Sequence, residues 1–258
     1  MNIIPFIMRI ILIFISFCIL RGGLYGQESL RDSSIRMAIL QVSYGGALTS
    51  RDMAARFGFT SSIGIEAGYK LPSNFYLTGG LRFLFSETVY ENDIFRSISN
   101  NSGLLLADDG TLSDLRFQQR GVLIPLSIGK IFPIIPNLNP NSGIYIEIGT
   151  QFIQHRIHFR TLGTQVAAIS GAYRKGYDRL TNGFGLREGF GFRFFDNRGY
   201  VNFSIGFELS QNFTQNRRTI NLDTGLADKR KRKDYLSGIH ASWIFPIYKR
   251  APNKVYFN

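Results

Sequence analysis

Along much of the chain, apolar and polar residues alternate one by one. In YVNFSIGFEL, Val201, Phe203, Ile205, Phe207 and Leu209 fall on one parity, and Asn202, Ser204, Gly206 and Glu208 fall on the other. Successive side chains leave a strand on opposite sides, so this stretch reads as a β-strand with one oily and one polar face. The pattern recurs at Ile63, Ile65, Ala67 and Tyr69 against Gly64, Glu66, Gly68 and Lys70. It recurs again at Val122, Ile124, Leu126 and Ile128 against Gly121, Ser127 and Gly129. Near residue 190, Phe184, Leu186, Phe190, Phe192 and Phe194 oppose Gly185, Arg187, Gly189, Gly191 and Arg193. Eight strands are predicted in this way, over 36–48, 60–71, 75–88, 115–132, 143–161, 181–195, 199–212 and 235–248.

The connections carry a second rhythm. Those at 72–74, 133–142 and 196–198 are short or rich in Pro and Asn, whereas those at 49–59, 89–114, 162–180 and 213–234 are long. Strict alternation of short and long connections is the habit of an up-and-down transmembrane barrel, with short periplasmic turns, long outer loops and both termini periplasmic. The expected fold is therefore all-β, an eight-stranded antiparallel up-and-down transmembrane β-barrel with its oily parity outward. A soluble sandwich would instead bury that parity between two sheets. Several strands exceed the roughly 9 to 11 residues needed to cross a bilayer, so the hairpins should project beyond the outer surface. Glu188 breaks the pattern by falling on the oily parity. Either a bulge beside Gly189 turns it inward or it lies above the hydrocarbon.

The amino terminus is different in kind. IILIFISFCIL, preceded by Arg9 and followed by RGGLYGQE, reads as a secretory signal peptide over 1–26, with the barrel domain over 27–258. Its apolar run is shorter than the roughly 20 residues of a membrane-spanning helix. Cys18, the single cysteine, lies inside it, so the processed chain has no disulfide, and with three His in the whole chain neither a metal nor a cofactor is expected. The formal charge is +12, from 30 Lys and Arg against 18 Asp and Glu, and loss of Arg9 and Arg21 leaves +10. For an exported protein the anionic neighbours are outer-membrane lipids, lipopolysaccharide phosphates and surface glycans, not nucleic acid.

Candidate chemistry follows from the parities. The polar side collects Glu66, Glu147 and Glu208 against Arg82, Arg187 and Arg193, with Gln41, Ser43, Gln151 and Ser204 nearby. In a narrow lumen such charges must be paired, which gives an internal salt-bridge plug, with a small gated pore as the alternative. Tyr69, Phe75, Tyr76, Tyr145, Tyr200, Trp243, Phe245 and Tyr248 fall near strand ends and read as interfacial girdles. The last long loop carries Arg217, Arg218, Lys229, Arg230, Lys231, Arg232 and Lys233, offset by Asp223, Asp228 and Asp234, a basic surface for anionic lipid or an envelope partner. The plain alternative is a solvated loop.

Arg174, Lys175, Tyr177, Asp178 and Arg179 are expected to pack over the barrel mouth, and His155 and His158, on opposite faces, cannot form a simple paired metal site. His240 and Ser242 resemble the His-x-Ser pair of lipid A 3-O-deacylases. They fall on the lumen parity with no acid following Ser242, whereas a lipid hydrolase must meet acyl chains, so catalysis is disfavoured.

A wider likeness rests on a leader ending near YGQ and on NPNSGIYIEIG, KGYDRLTNGF, NFTQNRRTINLDTG and the closing WIFPIYKR. Through these the chain is similar to the small outer-membrane β-barrel proteins of Bacteroidota, many of unassigned function. The resemblance implies an integral outer-membrane protein, with Tyr248 closing the last strand and KRAPNKVYFN as a periplasmic tail to which Phe257 contributes an assembly signal. The expected function is a non-enzymatic structural or accessory subunit of an envelope or secretion assembly. A narrow pore or transporter is the alternative, and a lipid A modifying hydrolase a more distant one.

Overall fold

A computed structural model describes residues 30–91, 93–171, 173–197 and 200–248. The signal segment 1–26 and the tail beyond Tyr248, with Phe257, lie outside the described residues. Eight strands form the fold: β1 Met37–Arg51, β2 Thr60–Lys70, β3 Phe75–Ser86, β4 Leu115–Phe132, β5 Gly143–Thr161, β6 Thr181–Phe195, β7 Asn202–Asn216 and β8 Lys231–Ile247. Each pairs antiparallel with its neighbours in sequence, and β1 pairs with β8, so the sheet closes on itself. Closure removes both sheet edges.

The alternation decides which way every side chain points. On β5, Ile144, Ile146 and Ile148 lie outside while Tyr145, Glu147, Gln151, Ile153 and His155 are buried within. On β8, Ile239, Trp243, Phe245 and Ile247 are outside while His240, Ser242 and Ile244 are inside. The oily parity is therefore the outer surface, and the polar parity fills the middle. On β6 the outer apolar row from Phe184 to Phe194 rises about 25 Å at a strand tilt of about 40°.

Several expectations are corrected. Glu188 neither turns inward nor stands above the apolar row. It is exposed on the outer face between Leu186 and Phe190, and its pairing to Ile148 and Leu209 is continuous, with no bulge to re-aim it. Tyr76 and Tyr145 do not join an outer girdle, because both occupy inward positions and are buried in the lumen. Tyr69, Phe75, Trp243 and Phe245 do lie outside, near the short-turn end. The last hairpin is taller than its composition suggested. β7 runs to Asn216 and β8 begins at Lys231, so Lys231, Arg232 and Lys233 belong to a strand and not to the loop. A ladder stabilises these polar residues because each backbone group finds a partner across it.

Glycine makes room for the large interior charges. Glu66 faces Gly80 across the ladder, Arg82 faces Gly64, Glu147 faces Gly129 and Gly189, Arg187 faces Gly149, and Glu208 faces Gly189 and Gly238. A Cβ built at Gly64 would stand 2.5 Å from both Cγ of Arg82 and the carbonyl oxygen of Leu81. The side chain cannot retreat without breaking its ion pairs. Gly64→Ala is expected to cost about 1–3 kcal/mol through overpacking, whereas Gly79→Ala, whose added Cβ meets its nearest atom at 3.3 Å, should cost less. Urea unfolding of the refolded barrel checks this, with the midpoint falling and the slope unchanged.

Candidate functional site

The interior is layered. In its middle the Arg82 guanidinium binds Glu66 through two nitrogens and donates from Nη1 to Glu208 Oε2 at 2.8 Å. Arg187 reaches the same Glu208 oxygen at 2.8 Å and Glu147 Oε1 at 3.0 Å, and donates to Ser127 Oγ at 2.6 Å. Gln41 donates to Glu66 Oε2 at 2.9 Å, and the Tyr76 hydroxyl donates to Glu147 Oε2 at 2.9 Å. Glu208 thus bridges two arginines and joins strands from opposite sides of the ring. The structure brings Glu66, Arg82, Glu147, Arg187 and Glu208 into one network.

Arg193 is placed differently. Its guanidinium carbon lies 4.3 Å from the Tyr76 ring centroid and 5.1 Å from that of Tyr145, held by two aromatic faces rather than by a carboxylate. His240 also belongs to this layer, with Nδ1 3.6 Å from Glu208 and Nε2 3.1 Å from the Tyr145 hydroxyl. Its imidazole therefore faces a tyrosine and a glutamate. The buried Ser242 Oγ has no hydrogen-bond partner among the described residues, so the His–Ser pair that a hydrolase requires is not formed. Tyr76, Tyr145, Ser127 and His240 are partners the sequence reading did not assign to the network, although strict counting of inward parity includes them.

Apolar layers close the lumen on both sides. At the short-turn end, Leu30, Ile35, Met37, Ile39, Ile131, Phe195 and Ile244 pack with Tyr76 and Tyr145. The segment ahead of β1 is fixed there because Lys70 Nζ donates to Ser34 Oγ at 2.9 Å, to the Ile35 carbonyl at 3.0 Å and to Asn141 Oδ1 at 2.8 Å. At the long-loop end, Met53, Phe57, Val89, Ile94, Phe95, Leu105, Val166, Ile169 and Tyr177 descend onto Leu84, Leu123, Ile153, Ile157, Phe159 and Leu236. Between the ionic layer and this cap lies a cavity of about 30 Å³, bordered by Thr60, Arg82, Glu208 and His240. That is room for a water or two.

Ion pairs stitch the loops above the cap. Arg56 lies 3.4 Å from Glu91, Arg179 contacts Glu91 and Asp223, and Arg218 grips Asp178 with two nitrogens. Tyr177, Asp178 and Arg179 are buried over the mouth and Arg174 is half-buried in the 3-10 turn Tyr173–Gly176, whereas Lys175 of that turn is exposed and does not pack there as expected. Hydrogen bonds from Thr111 and Thr164 hold the Asp109 carboxyl down at about 2, so the link it makes between two loops persists at any pH well above that value.

The expected basic surface is partly spent on such pairs. Arg230 binds Asp52, Arg232 binds Asp228, and Arg217 donates to Asn182. Burial alone pushes Asp228 up, but hydrogen bonds from Arg232 and the Arg230 backbone hold it below the usual carboxylate range. Lys229, Arg230, Lys231 and Lys233 remain exposed, and Lys231 and Lys233 point outward from β8.

No protein-family model matches the chain, and no curated protein matches it. Among solved structures, the chain is similar to Ail, the attachment invasion locus protein of Yersinia pestis in complex with the heparin analogue sucrose octasulfate. That match is 11% identical, covers 81% of this chain and 98% of that one, and has a TM-score of 0.38. The outer membrane protein OprG of Pseudomonas aeruginosa is 8% identical over 84% of this chain and 99% of that one, with a TM-score of 0.34. A major outer membrane protein of Thermus thermophilus is 9% identical over 81% and 99%, with a TM-score of 0.38. At these values the functional reading rests on the barrel's own geometry.

Removing one member of the ionic layer leaves a buried charge without its counter-ion. Arg187→Met is expected to destabilise the barrel by about 3–5 kcal/mol, whereas Lys231→Met on the exposed wall should change it by less than about 0.5 kcal/mol. Both are read from urea midpoints in the same detergent.

Proposed function

We propose that the protein is a non-enzymatic integral outer-membrane barrel, exported by its 1–26 segment, whose sealed body is a structural or accessory subunit of an envelope assembly. The observation that carries this reading is an inversion. The exposed surface of the strands is a continuous apolar belt, including Ile65, Leu81, Ile124, Ile146, Phe190 and Ile205, while the buried interior holds the arginines and glutamates. Water on the outside would leave that belt unsatisfied, and hydrocarbon satisfies it. The short turns and both ends of the chain then face the periplasm, and the folded loops face outward. In this small Bacteroidota-type barrel the exposed Lys229, Arg230, Lys231 and Lys233 are contacts for lipopolysaccharide or an envelope partner, with Arg217 and Arg218 at their margin.

The seal argues against conduction. Apolar clusters stand on both sides of the ionic layer, and the cavity beside it has room for a water or two. In planar bilayers the refolded protein should insert without producing stable channels, and a steady open conductance would overturn the sealed-barrel reading. The membrane reading is tested by Ile65→Arg. Placed at mid-belt, it should cost about 2–4 kcal/mol of folding stability in lipid vesicles. An unchanged stability, or a processed chain that stays monomeric in buffer without detergent, would contradict it.

A further inference from the structure

The hairpin of β4 and β5 is the tallest in the barrel, with strands of 18 and 19 residues. Its outer row changes character part-way up. From the short-turn end it reads Ile128, Leu126, Ile124 and Val122 on β4 and Ile144, Ile146, Ile148, Thr150 and Phe152 on β5. Above Val122 and Gln154, which face each other, the same row becomes Arg120, Gln118 and Arg116 on β4 and Arg156, His158 and Arg160 on β5.

The register then sets like against like. Arg120 is directly opposite Arg156, and Arg116 is directly opposite Arg160. Facing like charges on neighbouring strands destabilise a sheet, their Cβ atoms being only about 5 Å apart. Arg174 adds a fifth guanidinium, donating to His158 Nδ1 at 3.2 Å and to the Phe159 carbonyl at 2.5 Å while stacking on the Phe159 ring. The His158 imidazole, which accepts from Arg174, supplies no negative charge to this row. The carboxylates at this row among the described residues are Asp178, 3.9 Å from Arg156 and already gripped by Arg218, and Glu87, which accepts from Gln118 at 3.5 Å.

The arginines are nevertheless held in place. Arg120 donates to Gln118 Oε1 at 2.7 Å and lies 5.7 Å from the Phe83 ring, itself on the outer apolar face. The two arginine rungs are four residues apart, about 13 Å along the strand. A ladder of five guanidiniums offset by only these two carboxylates, beginning where the apolar belt ends, finds its remaining counter-charge at the level of lipid headgroups. On the membrane reading given above, we propose that Arg116, Arg120, Arg156 and Arg160, with Arg174, form a binding site for a multiply phosphorylated lipid headgroup of the outer leaflet, one phosphate on each rung. Its acyl chains lie down the wall along Val122, Ile124 and Phe152. Arginine suits this task because its fork meets phosphate oxygens in pairs.

The test uses the processed full chain in detergent micelles, titrated with bisphosphorylated lipid A, with the same lipid stripped of phosphate, and with inorganic phosphate as competitor. The wild type should bind the phosphorylated lipid at least tenfold more tightly than the stripped one, and millimolar inorganic phosphate should not displace it. The R116Q/R120Q/R156Q/R160Q variant should lose at least tenfold, the matching Arg→Lys variant should fall between it and the wild type because the charge is kept and the fork is lost, and K130Q, on the outer face at the short-turn end of the same hairpin, should change it less than threefold. Equal affinity of the wild type for both lipids, which needs no variant, overturns the site. So does displacement by free phosphate. Heat-modifiable mobility after reconstitution is read in parallel. A barrel that inserts but ignores phosphate sinks only this site, whereas failure to insert sinks the membrane reading beneath it.

Discussion

The barrel is organised around a layer of charge almost wholly withdrawn from water, with Glu208 the most exposed of its members at 15%. Glu208 is shared by Arg82 and Arg187, Glu66 is closed by Arg82 and Gln41, and Glu147 by Arg187 and Tyr76. Removing several ions from water is costly, and the cost is offset only when each partner is satisfied by short, directed bonds. That requirement reaches outward into the sheet. The side chains contributing the charges converge from β2, β3, β5, β6 and β7, so the pairs form only when the ring is closed in a single register. A slip of one residue would turn every one of them to the outside. The network therefore specifies the barrel at least as much as it stabilises it.

Space for those ions is made by glycine. A barrel of eight strands is just wide enough for side chains to fill it. Each glutamate and arginine of the central network accordingly has a glycine as its partner on at least one neighbouring strand, from among Gly80, Gly64, Gly149, Gly129, Gly189 and Gly238. Above and below, apolar clusters exclude water from the layer and raise the strength of each pair inside it. The lower cluster depends on Lys70 and Asn141, which tie the segment entering β1 beneath the ring. The upper one depends on loops whose own ion pairs hold them folded. The long connections are thus part of the core, and Phe95, between Phe159 and Tyr177 at 4.8 Å from each, is as central to it as any strand residue.

The outer wall obeys the opposite rule. Where the inside meets its charges with carboxylates, with tyrosine rings at Arg193 or with oxygen acceptors at Lys70, the outside has one carboxylate, Glu188, among the described residues of its apolar belt, and a set of like-charged rungs above that belt on β4 and β5. A fold that leaves these arginines facing one another is arranged for an external counter-charge at that height. The same strands carry both behaviours, because the inward residues of the hairpin, Phe117, Ile157 and Phe159, cover the loop cluster while its outward residues face away from it.

Much of this was legible from the chain. The period of two assigns the inward and outward sets, and the alternation of short and long connections orders the ring, because both follow from local backbone geometry. Three of the strand ranges, 115–132, 143–161 and 181–195, coincide with β4, β5 and β6. Composition misleads where it opposes parity. Residue type suggests an interface for Tyr76 and Tyr145, whose positions point inward, and charge suggests a loop for Lys231 to Lys233, which continue a strand. At Glu188 parity is the better guide, since the residue lies on the outer face despite the penalty its charge carries there. Which glutamate meets which arginine, that Arg193 is held by two tyrosine rings, that the loops fold into a cap, and that Arg120 stands opposite Arg156 were decided by tertiary structure alone. Those facts depend on the register between distant strands and on the path of the loops, and a one-dimensional pattern fixes the face of a residue without fixing its neighbour across the ring.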